Sequence, residues 1–78
     1  MKVKVVREWD TVIVRHENDE GRAIRMRTIQ CATIKAGKAL AEYLRGKIAS
    51  GVTAVEIFTN IDDGVAYRVC APELKERA

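Results

Sequence analysis

Proline, cysteine, histidine and serine are nearly missing from this chain of 78 residues, which has one proline, two cysteines, one histidine and one serine. With a single proline and no low-complexity segment, long disordered linkers are not expected, and the length predicts one domain over residues 1–78. A zinc site needs about four ligands, and the cysteines and the histidine are too few and too far apart in sequence to supply them. We therefore expect no metal and no cofactor.

Long hydrophobic runs are also missing. None approaches the ~20 residues of a membrane span, and Lys2, Lys4 and Arg7 interrupt the only apolar stretch near the start. We expect no membrane segment, no secretory signal and a cytoplasmic location. Without an oxidising compartment, Cys31 and Cys70 are expected to be free thiols rather than a disulfide.

No catalytic motif is present, and the sequence predicts a protein that is not an enzyme. The one conceivable catalytic pair is Cys31 with His16, because the predicted position of Cys31 at a helix entrance would favour a thiolate. The alternative is a small buried cysteine and a histidine at a strand end.

What the chain does contain is alternation of apolar and polar residues. This pattern predicts strands over 2–7, 12–16 and 22–29, separated by a turn or a bulge at 8–11 and by a turn at 17–21. In the third strand, Ile24 and Met26 are expected to face the core, and Arg25 and Arg27 to face water. The acidic residues Glu17, Asp19 and Glu20 are expected to keep the second turn solvated.

Helical periodicity follows Thr33, a capping residue, and ends at Ser50 and Gly51. Residues 53–59 and 65–70 are rich in β-branched and aromatic residues and predict two further strands, joined by a hairpin at the Asp63-Gly64 pair. The side chains of these strands expected to face inward are Val55, Ile57, Val65, Tyr67 and Val69. Pro72 then begins a short C-terminal helical turn. The order β-β-β-α-β-β predicts an α+β fold, in which an antiparallel sheet of about five strands carries one helix on one face.

The net charge of +3 and the pI of about 9.1 give a mild basic bias. The predicted sheet face away from the helix has Ile13, Ile29 and Phe58 interleaved with basic residues. It carries six of the 14 lysines and arginines, namely Lys2, Lys4, Arg15, Arg25, Arg27 and Arg68. Such a face is either merely solvated, or a contact for carboxylates of a protein partner, or a nucleic-acid surface. Nucleic-acid sheets also offer aromatic rings for stacking, and here there are only Phe58 and Trp9.

Trp9, the only tryptophan, falls in a turn, where it is either an interface anchor or a cover for the edge of a small core. The residues predicted to contact a protein partner are Trp9, Arg15, Arg25, Arg27 and Arg68. The nucleic-acid alternative uses Lys2, Lys4, Arg15, Arg25 and Arg27. A homodimer is a further possibility, because a short domain exposes sheet edges and the second sheet face is partly apolar.

The layout resembles a family of small phage-encoded proteins of the anti-CRISPR kind that inhibit type I systems. The similarity rests on three N-terminal strands, the alanine-rich helix with Ala36, Ala39 and Ala41, a hairpin around Asp63 and Gly64, and the Pro72-Glu73 tail. The resemblance implies an inhibitor that binds and occludes a CRISPR-Cas effector complex or its nuclease, in the cytoplasm of the host cell. Many such inhibitors mimic DNA with an acidic surface, whereas this chain is net basic.

Overall fold

The computed structural model describes residues 2–70, except for the side chains of Tyr67, Val69 and Cys70. Three strands precede three helices: β1 (Lys2–Glu8), β2 (Thr11–Glu17), β3 (Ala23–Gln30), α1 (Ile34–Ala49), α2 (Ala54–Asp62) and α3 (Val65–Cys70). The strands are antiparallel and lie in the order β1-β2-β3. The predicted α+β class is confirmed, but the sheet in the described part of the chain has three strands rather than about five.

One face of the sheet forms the core with the helices. Val12 and Val14 of β2 are fully buried and belong to one hydrophobic cluster with Leu40 and Leu44 of α1 and Phe58 of α2. The alternation predicted for β1 is confirmed up to residue 5, where valines are half-buried and lysines exposed. The other side of the sheet, directed away from α1, is called the open face below.

Helix α1 forms as predicted. The Thr33 side chain accepts a hydrogen bond from the Ala36 N–H at 3.0 Å and caps the first turn. Buried Leu40, Ala41 and Leu44 recur at the spacing of one helix face. The helix ends at Ala49, with Ser50 as the C-cap and a left-handed glycine directly after it.

The predicted strand over 53–59 is wrong, because this segment forms α2. The Thr53 side chain accepts a hydrogen bond from the Glu56 N–H at 3.3 Å, as the N-cap of a Thr-x-x-Glu sequence does. Ile57 and Phe58 are buried while Val55 is 66% exposed, which is incompatible with the expected inward pairing of Val55 and Ile57. Burial of one helical face overrides the β-propensity of the segment.

The predicted hairpin at Asp63 and Gly64 is also wrong, and residues 65–70 form α3 instead of a strand. Asp63 is the C-cap of α2, and Gly64 has a φ of 81° and donates its N–H to the Ile61 carbonyl. A left-handed glycine ends helices as readily as it builds hairpins. The helical turn predicted from Pro72, and the inward side chains predicted for Tyr67 and Val69, lie outside the described residues.

The two faces of β3 are the reverse of the prediction. In the register, Val12 pairs with Ile29 and Val14 with Arg27. Directly paired side chains share a face, so Arg27 points toward the helices and Met26 toward the open face. Ile24 and Met26, expected in the core, are 55% and 52% exposed. Since β3 has apolar residues on both faces, alternation alone could not assign them.

Cys31 is buried and disulfide-bonded, which corrects the prediction of a free thiol. It directly follows β3, and its N–H donates to the Asp10 carbonyl at 2.8 Å. The side chain of Cys70, the other cysteine of the sequence, lies outside the described part. A sulfur held in a disulfide is no thiolate nucleophile, so the Cys31–His16 pair is not available while the bond is intact.

Among residues 2–70, no helix has both the length and the apolar content that a membrane crossing requires.

Candidate functional site

The predicted contact residues do not lie on one surface. The structure places them in four separate locations. On the open face are Lys2, Lys4 and Arg15; on the helix-facing side of β3 are Arg25 and Arg27; Arg68 is exposed on α3; Trp9 forms the β1–β2 turn. The prediction of a single basic face is therefore wrong, because the faces of β3 are reversed and because Arg68 lies on a helix instead of a strand.

Arg25 and Arg27 cover the ring of Phe58. Their guanidinium carbons lie 5.4 and 5.7 Å from the ring centroid, within the range of cation–π attraction. Phe58, expected on the outer face, is fully buried beneath them. The His16 ring approaches from the side, 6.3 Å from that of Phe58 and tilted by 36°. These two arginines thus seal the core where the sheet meets α2.

Arg27 is also bound to Asp62 at the end of α2. Its Nε donates to Oδ1 at 2.9 Å and its Nη2 to Oδ2 at 3.2 Å, a two-point pairing of guanidinium and carboxylate. This hydrogen bond holds the pKa of Asp62 below its ordinary value and raises that of Arg27. The carboxylate that Arg27 was predicted to take from a partner is supplied by the chain itself.

Glu17, expected in a solvated turn, ends β2 and is 7% exposed. Its carboxylate oxygens lie 3.2 Å from Lys4 Nζ and 3.4 Å from Arg15 Nη2. A carboxylate this buried needs such partners, so both cations are bound to the fold. The adjacent pocket of about 260 Å³ has Lys2 and Lys4 on its wall together with Glu17 and Asp19, and these opposite charges offset one another.

The exposure and the backbone conformation of Trp9 are not explained by packing within the domain. Its side chain is 76% exposed, and its φ of 58° is left-handed. Glycine or asparagine normally occupies such a turn position, and a bulky residue there is unusual. The domain neither buries the indole nor benefits from its backbone conformation. The alternative that Trp9 covers the edge of the core is therefore wrong.

Three contacts hold the Trp9 turn in place. Arg7 Nη1 donates to the Trp9 carbonyl at 2.9 Å. The next residue, Asp10, accepts the Cys31 N–H, which joins the turn to the end of β3. On the helix side, Gly37 packs so closely that a Cβ added to it would stand 3.2 Å from the Trp9 carbonyl oxygen.

An exposed aromatic side chain on a fixed backbone is typical of interface anchors. Tryptophan loses little conformational entropy on binding and can bury a large area, so it is enriched among residues that dominate binding energy. Strain in the backbone of a residue also concentrates at functional positions. The sequence showed Trp9 to be in a turn, but only the structure shows the left-handed backbone and its supports.

Metal ligands do not converge in the described part of the chain. No group of three or more histidine, cysteine, aspartate or glutamate side chains converges there in an arrangement that could hold a metal ion.

No protein-family model, curated protein or solved structure matches the chain.

Proposed function

We propose that the chain is a non-catalytic protein-binding module that inserts the Trp9 indole into an apolar pocket of its partner. The single observation that supports this proposal is a largely exposed tryptophan in a left-handed turn that the fold holds in place. The mechanism is occlusion, in which the bound domain covers a working surface of the partner.

The arginines have a secondary part in this proposal. Arg25 lies five residues along β3 from Gln30, the residue nearest the Trp9 turn, a distance of roughly 17 Å at 3.4 Å per residue. Arg15 and Arg27 are bound internally to Glu17 and Asp62. We therefore expect the binding energy to concentrate at Trp9, with Arg25 and Arg68 contributing only to a wide interface.

The first test compares the proteins retained by the wild-type chain with those retained by a variant that lacks the indole. The wild-type chain and Trp9→Ala are immobilised and exposed to a nuclease-treated bacterial lysate, and the retained proteins are identified. A partner held by the wild type and lost by Trp9→Ala is the expected result, with Val55→Ala as the control for an exposed apolar residue elsewhere. Equal retention by all three baits would overturn the proposal.

Fluorescence supplies a second measurement with the purified partner. Because Trp9 is the only tryptophan of the chain, its emission starts near that of indole in water and shifts to the blue when a partner buries it. A partner that itself lacks tryptophan, or contains a non-emitting analogue, makes the reading direct. Binding without a blue shift would place the interface elsewhere.

Inhibition of a type I CRISPR-Cas effector complex or nuclease is a specific form of this proposal. It is supported by the resemblance in layout, although the hairpin around Asp63 and Gly64 that entered that resemblance is a junction between two helices. The test is a plasmid-interference assay in cells with an active type I system. Expression of the chain should restore transformation by a targeted plasmid, and Trp9→Ala should not.

The nucleic-acid alternative had assumed five cations on one face, and they lie on two opposite sides of the sheet. Titration of the chain into duplex and single-stranded DNA and RNA over a salt series tests it. Affinity that falls steeply with salt, and that Lys2→Gln or Arg25→Gln reduces, would favour nucleic acid over a protein partner.

A further inference from the structure

The open face of the sheet is not an ordinary solvated surface. In the usual antiparallel sheet, the face directed to water carries polar side chains. Here Val6, Ile13 and Met26 lie on it, and Val6 and Met26 are 44% and 52% exposed. The core cluster lies entirely on the opposite side. Val6 and Ile13 are paired neighbours and Met26 lies in the adjacent row, and exposed apolar side chains grouped in this way are found at interaction surfaces.

The side chains of the open face form rows across the three strands. The pairs Val6–Ile13 and Ile13–Thr28 make a central row that is apolar on β1 and β2. On one side of it, toward the Trp9 turn, the row is Glu8, Thr11 and Gln30; on the other side it is Lys4, Arg15 and Met26. Glu8 thus lies on one side of the apolar row, and Lys4 and Arg15 lie on the other, where their two positive charges exceed the one negative charge of the Glu17 carboxylate that they share.

This pattern is complementary to itself. When a second copy is turned by a two-fold axis that lies along the central row, each strand faces its own equivalent in reversed direction. Val6 then meets Val6 and Ile13 meets Ile13, while Glu8 of each copy faces Lys4 of the other. A two-fold interface is self-complementary in this sense, with residue i contacting residue j and j contacting i.

We propose that the open face binds a second copy of this chain, so that two sheets pack face to face about the Val6–Ile13 row. Packed sheets of this type are offset by about 30° because each is twisted. The Glu8–Lys4 pairing sets the reversed direction of the strands. A two-fold axis parallel to the strands would instead place Glu8 of one copy over the same row of the other copy. That row consists of Glu8, Thr11 and Gln30 and carries no positive charge.

The area of the sheet sets the strength of the pairing. Three strands about 4.8 Å apart and seven residues long give a flat footprint of roughly 350 Å² per copy. Standard interfaces bury ~800 Å² of accessible surface per partner. We therefore expect a dimer that dissociates on dilution, in the micromolar range.

The first measurement is the molar mass by sedimentation equilibrium or light scattering, on the oxidised chain, from about 1 to about 500 µM, the range expected for a small interface. The mass should rise with concentration from the 8.7 kDa of one chain toward twice that value. A constant single-chain mass over the whole range would overturn the proposal, and so would growth beyond the dimer.

Variants then locate the interface. Val6→Asp should raise the dissociation constant at least about tenfold, the effect of 1.4 kcal/mol. The matched control is Val55→Asp, because Val55 is a more exposed valine on α2, away from the sheet. Equal effects of the two substitutions would show that the open face is not the interface.

Charge reversal tests the direction of pairing. Glu8→Lys should weaken the dimer because it sets lysine against Lys4, and adding Lys4→Glu to it should restore most of the affinity. Far-UV circular dichroism confirms that each variant is folded, which matters because Lys4 also pairs with Glu17. A double variant as weak as Glu8→Lys alone, in the folded state, would overturn the proposed two-fold arrangement.

Discussion

Trp9 adopts a backbone conformation that opposes folding. A left-handed φ brings Cβ close to the following carbonyl oxygen. Substitution by glycine removes Cβ and relieves that crowding. The side chain is mostly in water, so little burial would be lost with it. Stability and the proposed binding through the indole would therefore make opposite demands on this position.

We predict that Trp9→Gly raises the free energy of unfolding by about 0.5–1 kcal/mol, since roughly 1–2 kcal/mol of left-handed strain exceeds the chain entropy that glycine adds. Urea unfolding with the disulfide intact measures the change. The same variant should lose the partner that the wild type retains. A less stable Trp9→Gly would mean that the indole packs on the domain after all.

Protonation of Asp62 should lower the free energy of unfolding. Its pKa is lowered by the hydrogen bond from Arg27, below the ordinary 3.8. A group with a depressed folded pKa stabilises the native state above its unfolded pKa, and that contribution disappears as the pH falls through the folded value. The stabilisation is thus present at neutral pH and is lost progressively as the pH falls below the ordinary pKa of 3.8.

We predict that Asp62→Asn is less stable than the wild type at pH 7 and that the difference narrows as the pH falls from 5 to 2. Thermal unfolding of both chains across that interval measures it. Asp63→Asn is the matched control, since the neighbouring carboxylate makes no ion pair with Arg27. A difference that stayed constant with pH would mean that the charge of Asp62 contributes nothing.

At the scale of the elements, the two glycines of α1 have different roles. Gly37 lies against the backbone of the β1–β2 turn, and a Cβ there would approach Asp10 Cα to 3.3 Å as well as the Trp9 carbonyl. Around Gly46, by contrast, no described atom outside the nearby turns of the helix itself lies within 4 Å of such a Cβ. Close packing explains the first glycine but not the second.

We predict that Gly46→Ala raises the free energy of unfolding by up to about 1 kcal/mol, the difference in helix propensity. Gly37→Ala should gain less or lose stability, because the added methyl displaces the Trp9 turn. Urea unfolding of both variants provides the comparison. Equal increases in the free energy of unfolding for the two variants would show that the Trp9 turn can move away from α1 without cost.

The sequence predicted the elements whose patterns are long and consistent. β1, β2, β3 and α1 were found near their observed bounds, because alternation or helical periodicity continues through each and Thr33 marks a cap. Residues 53–59 were misassigned because a short β-branched run fits both strand and helix. The Thr53-Ala-Val-Glu56 cap was the signal that favoured a helix.

Only part of the candidate site could be predicted from the sequence. Trp9 was identified from its rarity and its place in a turn. The arginines were assigned to the wrong face because the orientation of β3 depends on its register with β2, a tertiary pairing. Their burial of Phe58 depends also on α2 being a helix, so two separate misassignments hid this contact.

At the scale of the whole molecule, the Cys31 disulfide supplements a small core. A chain of this size buries only about 60% of its unfolded surface, and small domains often need a covalent link. Such bonds persist in oxidising surroundings and are reduced in most cytosols. The stability of the chain thus depends on the redox state of its surroundings.

We predict that reduction lowers the free energy of unfolding by about 2–4 kcal/mol, as loss of a native disulfide does in small domains. Urea unfolding with and without dithiothreitol measures the loss. Cys31→Ser should match the reduced wild type and be insensitive to the reductant. An unchanged stability on reduction would show that packing alone holds the helices on the sheet.

The location of the Trp9 turn, one residue beyond β1, has a consequence for the architecture of any complex. In a face-to-face pair with reversed strands, the two tryptophans project from opposite ends, roughly 20 Å apart along the strands at 3.4 Å per residue. Such a pair would bridge two binding pockets and gain avidity from their linkage. The best-suited targets would be filaments, rings or other assemblies that repeat the same pocket.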